Sequence, residues 1–503
     1  MSDKSLEAQL YECLVNDNTK EALSIVEQMG DNVNSMYRCR SPLSWASKFE
    51  NKDVVAALQD KGAKDEFDKN KIIKLEMQLD TALEIFSLED VMRLVEEGAN
   101  NLSGAMNKAV MYGDINAIDR LVELGAGKQK EWIYTGLESA VYSEKPEVVE
   151  HLIKLGVKLN EKNEFGDTPL RKAVGLGYYD ILDKLIEAGA DLDVVDVKGR
   201  TALMHAVENG SIDMVEKLVK AGANLDLKDE KGTTALMKAV EMQSLSKVRC
   251  LVKAGADVNL RGHIGRTALM DAAWRIDAYE VFNCLISAGA DVNAKDLYGR
   301  NALMLASGRG NIMAVKDLIR LGADVNLRDS MGLTALMEGA RNFTNEKSRE
   351  VVAELVKSGA DVNVQDNGGE SALMYAYFDV VKMEELVKAG ANVNLQNKEG
   401  KTVLMKVAGS FCGEHPTLTD LLLKENRKIF KKNRKTFKEN KMALELLIEN
   451  GADVNIKDNK GRNAIMYVKD DERKRRIIFD AIKKARRGEE ASNNVGRIER
   501  MFR

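Results

Sequence analysis

Residues 199–226 read GRTALMHAVENGSIDMVEKLVKAGANLD, and variants of this stretch recur along much of the chain. Its most regular parts are a Gly-Ala pair followed by Asp or Asn, and a later Thr-Ala-Leu-Met. A repeat of fixed length predicts stacked helical units, each touching only its neighbours, rather than one globular core. The Gly-Ala pairs recur at intervals of 31 to 37 residues, beginning at Gly189, Gly222, Gly255, Gly289, Gly322, Gly359 and Gly390, and once more, after a longer interval, at Gly451.

Each unit is predicted to contain two short helices and an extended loop. Thr201 is a good N-cap residue, and the apolar spacing after it favours a helix that ends near Gly210. A second amphipathic stretch follows and ends at Gly222. Neither helix is long enough to be stable by itself, so the units must stack.

The unit closely resembles the ankyrin repeat, whose signature is Thr-Pro-Leu-His-x-Ala in a unit of about 33 residues. The signature is matched by Thr168-Pro-Leu and, with Ala in place of Pro, by Thr201-Ala-Leu-Met and its copies. The resemblance implies an all-α ankyrin-repeat solenoid of about 12–13 helix-turn-helix units with protruding β-hairpin loops. We expect degenerate repeats with a cap at 1–165, regular repeats at 166–410, a basic insertion at 411–441, the last repeats at 442–468, and a capping helix with a basic tail at 469–503.

Methionine stands where the family has a histidine. Because thioethers fill irregular gaps well, a methionine stripe at this spacing predicts a buried ladder along the stack. Its members are Met204, Met237, Met270, Met304, Met337, Met374, Met405 and Met466.

The position after each of these methionines varies widely in chemistry. Such variety predicts solvent exposure, and the resemblance implies that this row, the ends of the first helices and the loop tips contact partners. The row consists of His205, Lys238, Asp271, Leu305, Glu338, Tyr375, Lys406 and Tyr467.

Aromatic and arginine side chains are concentrated in these variable rows between residues 263 and 378. Aromatic residues with arginine commonly form the anchors of protein interfaces. The alternative is that some of these rings pack against the next repeat. The predicted partner-binding residues are Trp274, Arg275, Tyr298, Arg309, Tyr375 and Tyr377.

No motif in the chain predicts catalysis. The four histidines fall in different repeats, and the Gly-rich turns lack the Lys-Ser/Thr of a phosphate loop. The Asp-x-Asn triplets lack the glycine and terminal glutamate of a calcium loop, and turn formation explains them better. We therefore expect no enzyme activity, no catalytic residue, no cofactor and no metal.

Charge is unevenly distributed along the chain. The formal net charge is -4, yet residues 424–441 contain nine Lys or Arg and two Glu. Such a segment can contact nucleic acid or an anionic surface, and its candidate residues are Arg427, Lys431, Arg434 and Lys435. The alternative is a solvated helical extension.

The chain shows no apolar run of transmembrane length and no signal peptide at its start, and its five cysteines are scattered. These features favour a cytoplasmic protein, with signal-independent export as an alternative. The main functional hypothesis is a monomeric, non-enzymatic scaffold that binds a protein partner on its concave groove and loop tips. The alternatives are nucleic-acid binding through the basic insertion and a host-directed effector of bacterial type.

Overall fold

The computed structural model describes residues 6–16, 18–29, 42–49, 51–61, 75, 88–96, 102–124, 130–341, 346–410, 427–468 and 472–487. The chain divides into two compact units, Met1–Glu230 and Lys231–Arg503, each of which is described by itself. Both are built from pairs of antiparallel helices, so the prediction of an all-α repeat solenoid is confirmed. The predicted domain boundaries at 165, 410, 441 and 468 stay predictions.

The first unit contains helix pairs that become more regular toward its end. Its helices are Leu6–Val15, Thr19–Met29, Pro42–Lys48, Lys52–Asp60, Leu88–Glu96, Leu102–Tyr112, Ile115–Glu123, Lys130–Tyr142, Pro146–Lys154, Pro169–Leu176, Tyr179–Glu187, Ala202–Asn209 and Ile212–Lys220.

The second unit contains the most regular repeats, the insertion and the C-terminal helix. Its α-helices are Ala235–Glu241, Leu245–Lys253, Ala268–Trp274, Tyr279–Ser287, Ala302–Arg309, Ile312–Arg320, Ala335–Arg341, Glu346–Lys357, Ala372–Tyr375, Val380–Lys388, Val403–Ser410, Arg427–Glu449 and Glu472–Arg487. Two 3₁₀ turns lie at His263–Gly265 and Met466–Val468.

Short polar caps start the first helix of each regular repeat. Thr201 Oγ1 accepts a hydrogen bond from the Met204 N–H at 3.3 Å, as the capping pattern predicts. The same bond recurs at Thr234, Thr267, Asn301, Thr334, Ser371 and Thr402.

The methionine ladder is buried at seven of its eight predicted positions, from Met204 to Met405. These side chains lie among the leucines and alanines of the first helices. The prediction is wrong for Met466, which is 48% exposed. No full first helix forms there, and the single 3₁₀ turn Met466–Val468 leaves the side chain at the surface.

The prediction of an exposed row after the methionines is wrong in part. Lys238 and Leu305 are buried, and the other six side chains of the row are only partly accessible. Variety of residue type at one position therefore does not establish exposure.

A short turn, here called a finger, precedes each first helix and corresponds to residues 296–299 in one repeat. Asp296 Oδ1 accepts hydrogen bonds from the backbone N–H groups of Tyr298 and Arg300 at 2.9 Å each. The Asp296 N–H donates to the Arg300 carbonyl at 2.9 Å, and the Leu297 N–H donates to Ile264 O in the previous finger at 2.9 Å. These bonds give a hairpin-like loop, and within the described residues the one β-bridge is the isolated pair Gln365 and Ser371.

The asparagines of the Asp-x-Asn triplets at Asn259, Asn293 and Asn326 link consecutive repeats. Asn259 Nδ2 donates to Gly289 O at 3.2 Å, and its Oδ1 accepts from the Asp291 N–H at 2.8 Å. Within its own triplet the Asn259 N–H donates to Asp257 Oδ1. The triplets thus serve turns and stacking, as the sequence indicates.

The insertion leaves the stacking intact. Asn394 Nδ2 donates to Gly451 O at 3.0 Å, the same bond that joins repeats of normal length. The first helix of this repeat ends at Ser410, and its second helix is the 23-residue Arg427–Glu449, against nine residues in Val380–Lys388. Part of the added length therefore belongs to the second helix of this repeat, and the predicted insertion at 411–441 stays a prediction.

No helix in the described part of the chain is both long and apolar enough to cross a bilayer. Cys13, Cys250 and Cys284 are free thiols.

Candidate partner-binding site

Trp274 ends the first helix Ala268–Trp274 and leaves 38% of its surface exposed. The Arg309 guanidinium carbon lies 5.1 Å from the centre of its ring, and that of Arg266 lies 6.0 Å away. Within the described residues, Arg309 forms no ion pair. The indole is therefore flanked by two guanidinium groups, a cation–π arrangement that keeps an aromatic surface fixed and accessible.

A chain of charged contacts connects Trp274 to the next finger. Arg266 Nε lies 4.0 Å from Asp296 Oδ2, and Arg300 forms an ion pair of 2.8 Å with the same oxygen. The Arg300 guanidinium carbon lies 4.9 Å from the ring centre of Tyr298, which is 50% exposed at the finger tip. Trp274 and Tyr298 thus belong to one connected surface.

We call this surface the aromatic–arginine row. It lies entirely in the second unit and brings together three of the predicted site residues, Trp274, Tyr298 and Arg309. Its members are Arg309, Trp274, Arg266, Asp296, Arg300 and Tyr298.

Tyr375 and Tyr377 form a separate cluster. Lys406 Nζ lies 5.8 Å from the centre of the Tyr375 ring and 5.3 Å from that of Tyr377, and it pairs with Glu370 at 2.6 Å. The Tyr375 hydroxyl donates to Asp366 Oδ2 at 2.6 Å. Burial, and then this hydrogen bond, raise the pKa of Tyr375 above its ordinary value. The Tyr375 hydroxyl therefore joins the helix Ala372–Tyr375 to the finger that precedes it.

Arg275 follows Trp274 and ends the helix. Its backbone carbonyl accepts a hydrogen bond from Asn311 Nδ2 at 2.9 Å, and the same amide nitrogen donates to Ala273 O at 3.0 Å. Its side chain is partly exposed. The next repeat thus holds the end of the helix that presents Trp274.

Two carboxylates lie within this stretch of the second unit, at Asp271 and Glu338. Burial raises the pKa of Asp271, and the Arg266 charge opposes that shift. Burial likewise raises the pKa of Glu338, with Arg341 opposing it. Each carboxylate has one long ion pair, at 3.5 Å to Arg266 and 3.9 Å to Arg341 respectively.

The predicted basic contacts Arg427, Lys431, Arg434 and Lys435 lie on the helix Arg427–Glu449. The structure gives the backbone there, and their side chains lie outside the described residues. Among the described residues, no group of histidine, cysteine and carboxylate side chains is placed to hold a metal ion.

Arg266, Asp296 and Arg300 are members of the row that sequence reasoning did not place among the site residues, and Arg266 is the least expected of them. The Gly-Arg-Thr-Ala-Leu-Met at 265–270 looks like an ordinary repeat start. The signal lies four residues before the arginine, where Gly262 occupies the position that is Asp or Asn in the neighbouring fingers. Only the contacts between fingers show what that exchange does to the arginine.

The chain is similar to known ankyrin-repeat proteins. A family model described as ankyrin repeats (three copies) matches residues 137–229, 217–296, 269–366 and 303–383. Among the solved structures that match is the ankyrin repeat domain of Bcl-3, titled a unique member of the IkappaB protein family. It is 31% identical, covers 43% of this chain and 97% of its own, and has a TM-score of 0.39. No curated protein matches the chain.

Proposed function

This chain is an ankyrin-repeat protein, and we propose that it binds a protein partner through the aromatic–arginine row of its second unit. Ankyrin repeats are generally protein-protein interaction modules. The observation that carries the proposal is the position of Trp274, exposed yet held between Arg266 and Arg309. A preformed anchor loses little conformational entropy on binding, so each contact contributes more to affinity.

The row also has the composition expected of an interface centre. Trp, Tyr and Arg are the residues whose truncation most often weakens protein complexes. The finger tips beside the row add exposed apolar surface, at Leu297 (75% exposed) and Met331 (61% exposed). The partner is therefore expected to contact the finger tips and the first-helix ends together.

The proposed activity is binding without catalysis. We also propose that the protein is a cytoplasmic monomer, and the absence of a disulfide at the described Cys13, Cys250 and Cys284 supports the reducing compartment. Light scattering at micromolar concentration checks the oligomeric state.

Affinity capture from cells that express the chain tests the proposal. Trp274→Ala and Tyr298→Ala should each reduce the captured partner by about tenfold, because a central aromatic anchor contributes about 1–2 kcal/mol or more. Phe165→Ala is the matched control, since Phe165 holds the same finger position as Tyr298 and is 61% exposed. Equal capture by all three variants at unchanged melting temperature would overturn the proposal.

A second candidate function rests on the basic helix. The helix Arg427–Glu449 is continuous, so Arg427, Lys431, Arg434 and Lys435 occupy positions i, i+4, i+7 and i+8 of one helix. These positions share one side of a helix, as a phosphate-binding surface requires. A gel shift with the chain and a variant carrying glutamine at all four positions, at two salt concentrations, decides it. Binding that weakens with salt and is lost in the variant supports this candidate, and absence of binding at both concentrations eliminates it.

A further inference from the structure

Gly262 breaks the rule that the other described fingers follow. Asp196, Asp296 and Asp458 each accept hydrogen bonds at 2.8–2.9 Å from backbone N–H groups two and four residues later. The same pattern holds at Asn163, Asp329, Asp366 and Asn397. At position 262 the side chain that would accept these bonds is absent.

The missing carboxylate leaves Arg266 without its usual partner. In the fingers that have arginine four residues after the aspartate, Nε donates to the carboxylate at 2.9 Å, as Arg200 does to Asp196. Arg300 and Arg462 repeat that bond with their own aspartates. Arg266 has its nearest carboxylate oxygens at 3.5 Å and 4.0 Å, and its Nε is buried with no hydrogen-bond partner in the described structure.

A second internal partner is also absent. Arg200 Nη1 donates to Glu208, eight residues later, at 3.2 Å. Eight residues after Arg266 the chain has Trp274, so an aromatic face replaces an acid. Arg200 therefore has two carboxylate partners in its own repeat. The corresponding Arg266 lies instead beside the exposed Trp274 ring, with Arg309 on the same ring.

We propose that Arg266, Trp274 and Arg309 bind an acidic side chain of the protein partner, whose carboxylate pairs with Arg309 and with the accessible part of the Arg266 guanidinium. This inference rests on the proposed function and names the chemistry that the row recognises. A guanidinium fork matches a carboxylate, and a charge-assisted bond in a desolvated site is about twice as strong as a neutral one. The Trp274 face then packs against the aliphatic part of the acidic segment.

The surrounding charges favour an acidic peptide segment over a nucleic-acid backbone. Arg266 and Arg309 face the site, while Asp271 and Asp296 lie within 4.0 Å of Arg266. With Arg300, which pairs with Asp296, three arginine charges face two carboxylates, and the excess of one positive charge suits a single negative group. A nucleic-acid backbone would bring further phosphates close to Asp271 and Asp296, which repel them.

The three tryptophans of the chain make a direct titration practical. In the full chain labelled with nitrogen-15, Trp274→Phe assigns the Trp274 indole N–H signal. Acetylated hexaglutamate amide is the probe, with hexaglutamine and a six-residue thymidine oligonucleotide as comparison probes. We expect hexaglutamate to move the Trp274 signal saturably, and the other two probes to bind at least tenfold more weakly.

Gly262→Asp supplies the missing carboxylate from within and should weaken hexaglutamate binding by about tenfold or more. A Cβ at this position meets Met237 Sδ at 2.9 Å, the far end of a flexible side chain. Ser330→Asp is the control, because it adds the same charge at an exposed tip of a later finger. Arg266→Gln is the second variant, and it should lose binding without any change at position 262.

Hexaglutamate that leaves the Trp274 signal unmoved, or that binds Gly262→Asp and Arg266→Gln as tightly as the natural chain, would overturn the inference. Equal or tighter binding of the oligonucleotide would overturn the assignment to an acidic protein segment. Partner capture with Trp274→Ala remains a separate readout. A capture loss together with no hexaglutamate binding would sink this inference and leave the proposed function standing.

Discussion

The hexapeptide Gly-Arg-Thr-Ala-Leu-Met occurs twice, at 199–204 and at 265–270. Both copies form a threonine-capped first helix, with the leucine and methionine fully buried. The first copy lies between Asp196 and Glu208, which both bind its arginine. The second lies between Gly262 and Trp274, and the Nε of its arginine is buried with no hydrogen-bond partner within the described residues.

The difference shows that local sequence decides the helix while residues outside it decide what the arginine does. Thr201 and Thr267 cap their helices in the same way. The arginine guanidinium, however, takes its partners from the residues that lie four positions before and eight positions after the arginine. In the first copy it stabilises the fold, and in the second it is available to a ligand.

Asp196→Ala should have the largest effect, because it converts the first copy toward the second. Asp196 is buried and binds both Arg171 and Arg200, so its loss removes one carboxylate partner from each, and only Asp167 and Glu208 remain to pair with them. Breaking a buried ion pair costs about 3–5 kcal/mol. Urea unfolding of the full chain, followed by circular dichroism, measures this loss. Val197→Ala, at an exposed position of the same finger, is the control, and an equally small effect of both variants would contradict the account.

Gly262→Asp makes the reverse conversion, with a smaller effect. The new carboxylate can accept the finger's backbone N–H groups and pair with Arg266, which together contribute about 1–2 kcal/mol. The contact with Met237 Sδ subtracts from this gain. We expect a higher melting temperature than that of the natural chain. A lower one would mean that Arg266 is already satisfied within the fold.

Ile264→Gly tests the backbone of the altered finger. Ile264 has φ +54°, a left-handed conformation that costs a β-branched residue about 1 kcal/mol or more. Glycine adopts it freely, so the variant should unfold at a higher temperature. Lys198→Gly, the same position beside the first copy, should instead lose about 0.5–1 kcal/mol of stability through added chain entropy. The same sign for both variants would refute the comparison.

His205→Gln should have the smallest effect, visible only through pH. Burial, then the charges of Arg171 and Arg200, lower the pKa of His205 below its ordinary value of 6.5. The unfolded chain therefore binds the proton first as pH falls through 6.5, and folding stability is lost in that window. The variant should lose less melting temperature between pH 7.5 and 5.5 than the natural chain. Identical losses would show that His205 does not titrate differently on folding.

The second copy has Asp271 where the first has His205, and its pKa is raised by burial. A raised carboxyl pKa means that the folded chain binds the proton first, so stability falls as pH rises through the window above 3.8. The two copies are thus expected to respond to pH with opposite sign. Asp271→Asn should remove its part of this dependence, as melting temperatures from pH 4 to 7 would show.

The sequence predicted the repeats, the caps and the buried methionines because these depend on residues close together in the chain. It also identified Trp274, Tyr298 and Arg309, since these large side chains differ from the residues at the same positions of most other repeats. It missed Arg266 because the partner of that arginine comes from another position of the finger. It misjudged Lys238 and Leu305, which are buried, because the residue types found at one repeat position do not show how closely the neighbouring repeats pack over it.

Site-specific photo-crosslinking tests the central claim that a partner binds beside the second copy. His263 and Val197 hold the same finger position beside the two copies, and both are exposed. A benzophenone amino acid placed at each position, in cells that express the chain, reports which finger touches another protein. The account predicts a partner adduct from position 263 and none from position 197. Adducts of equal yield from both, an adduct from 197 alone, or none from either would contradict it.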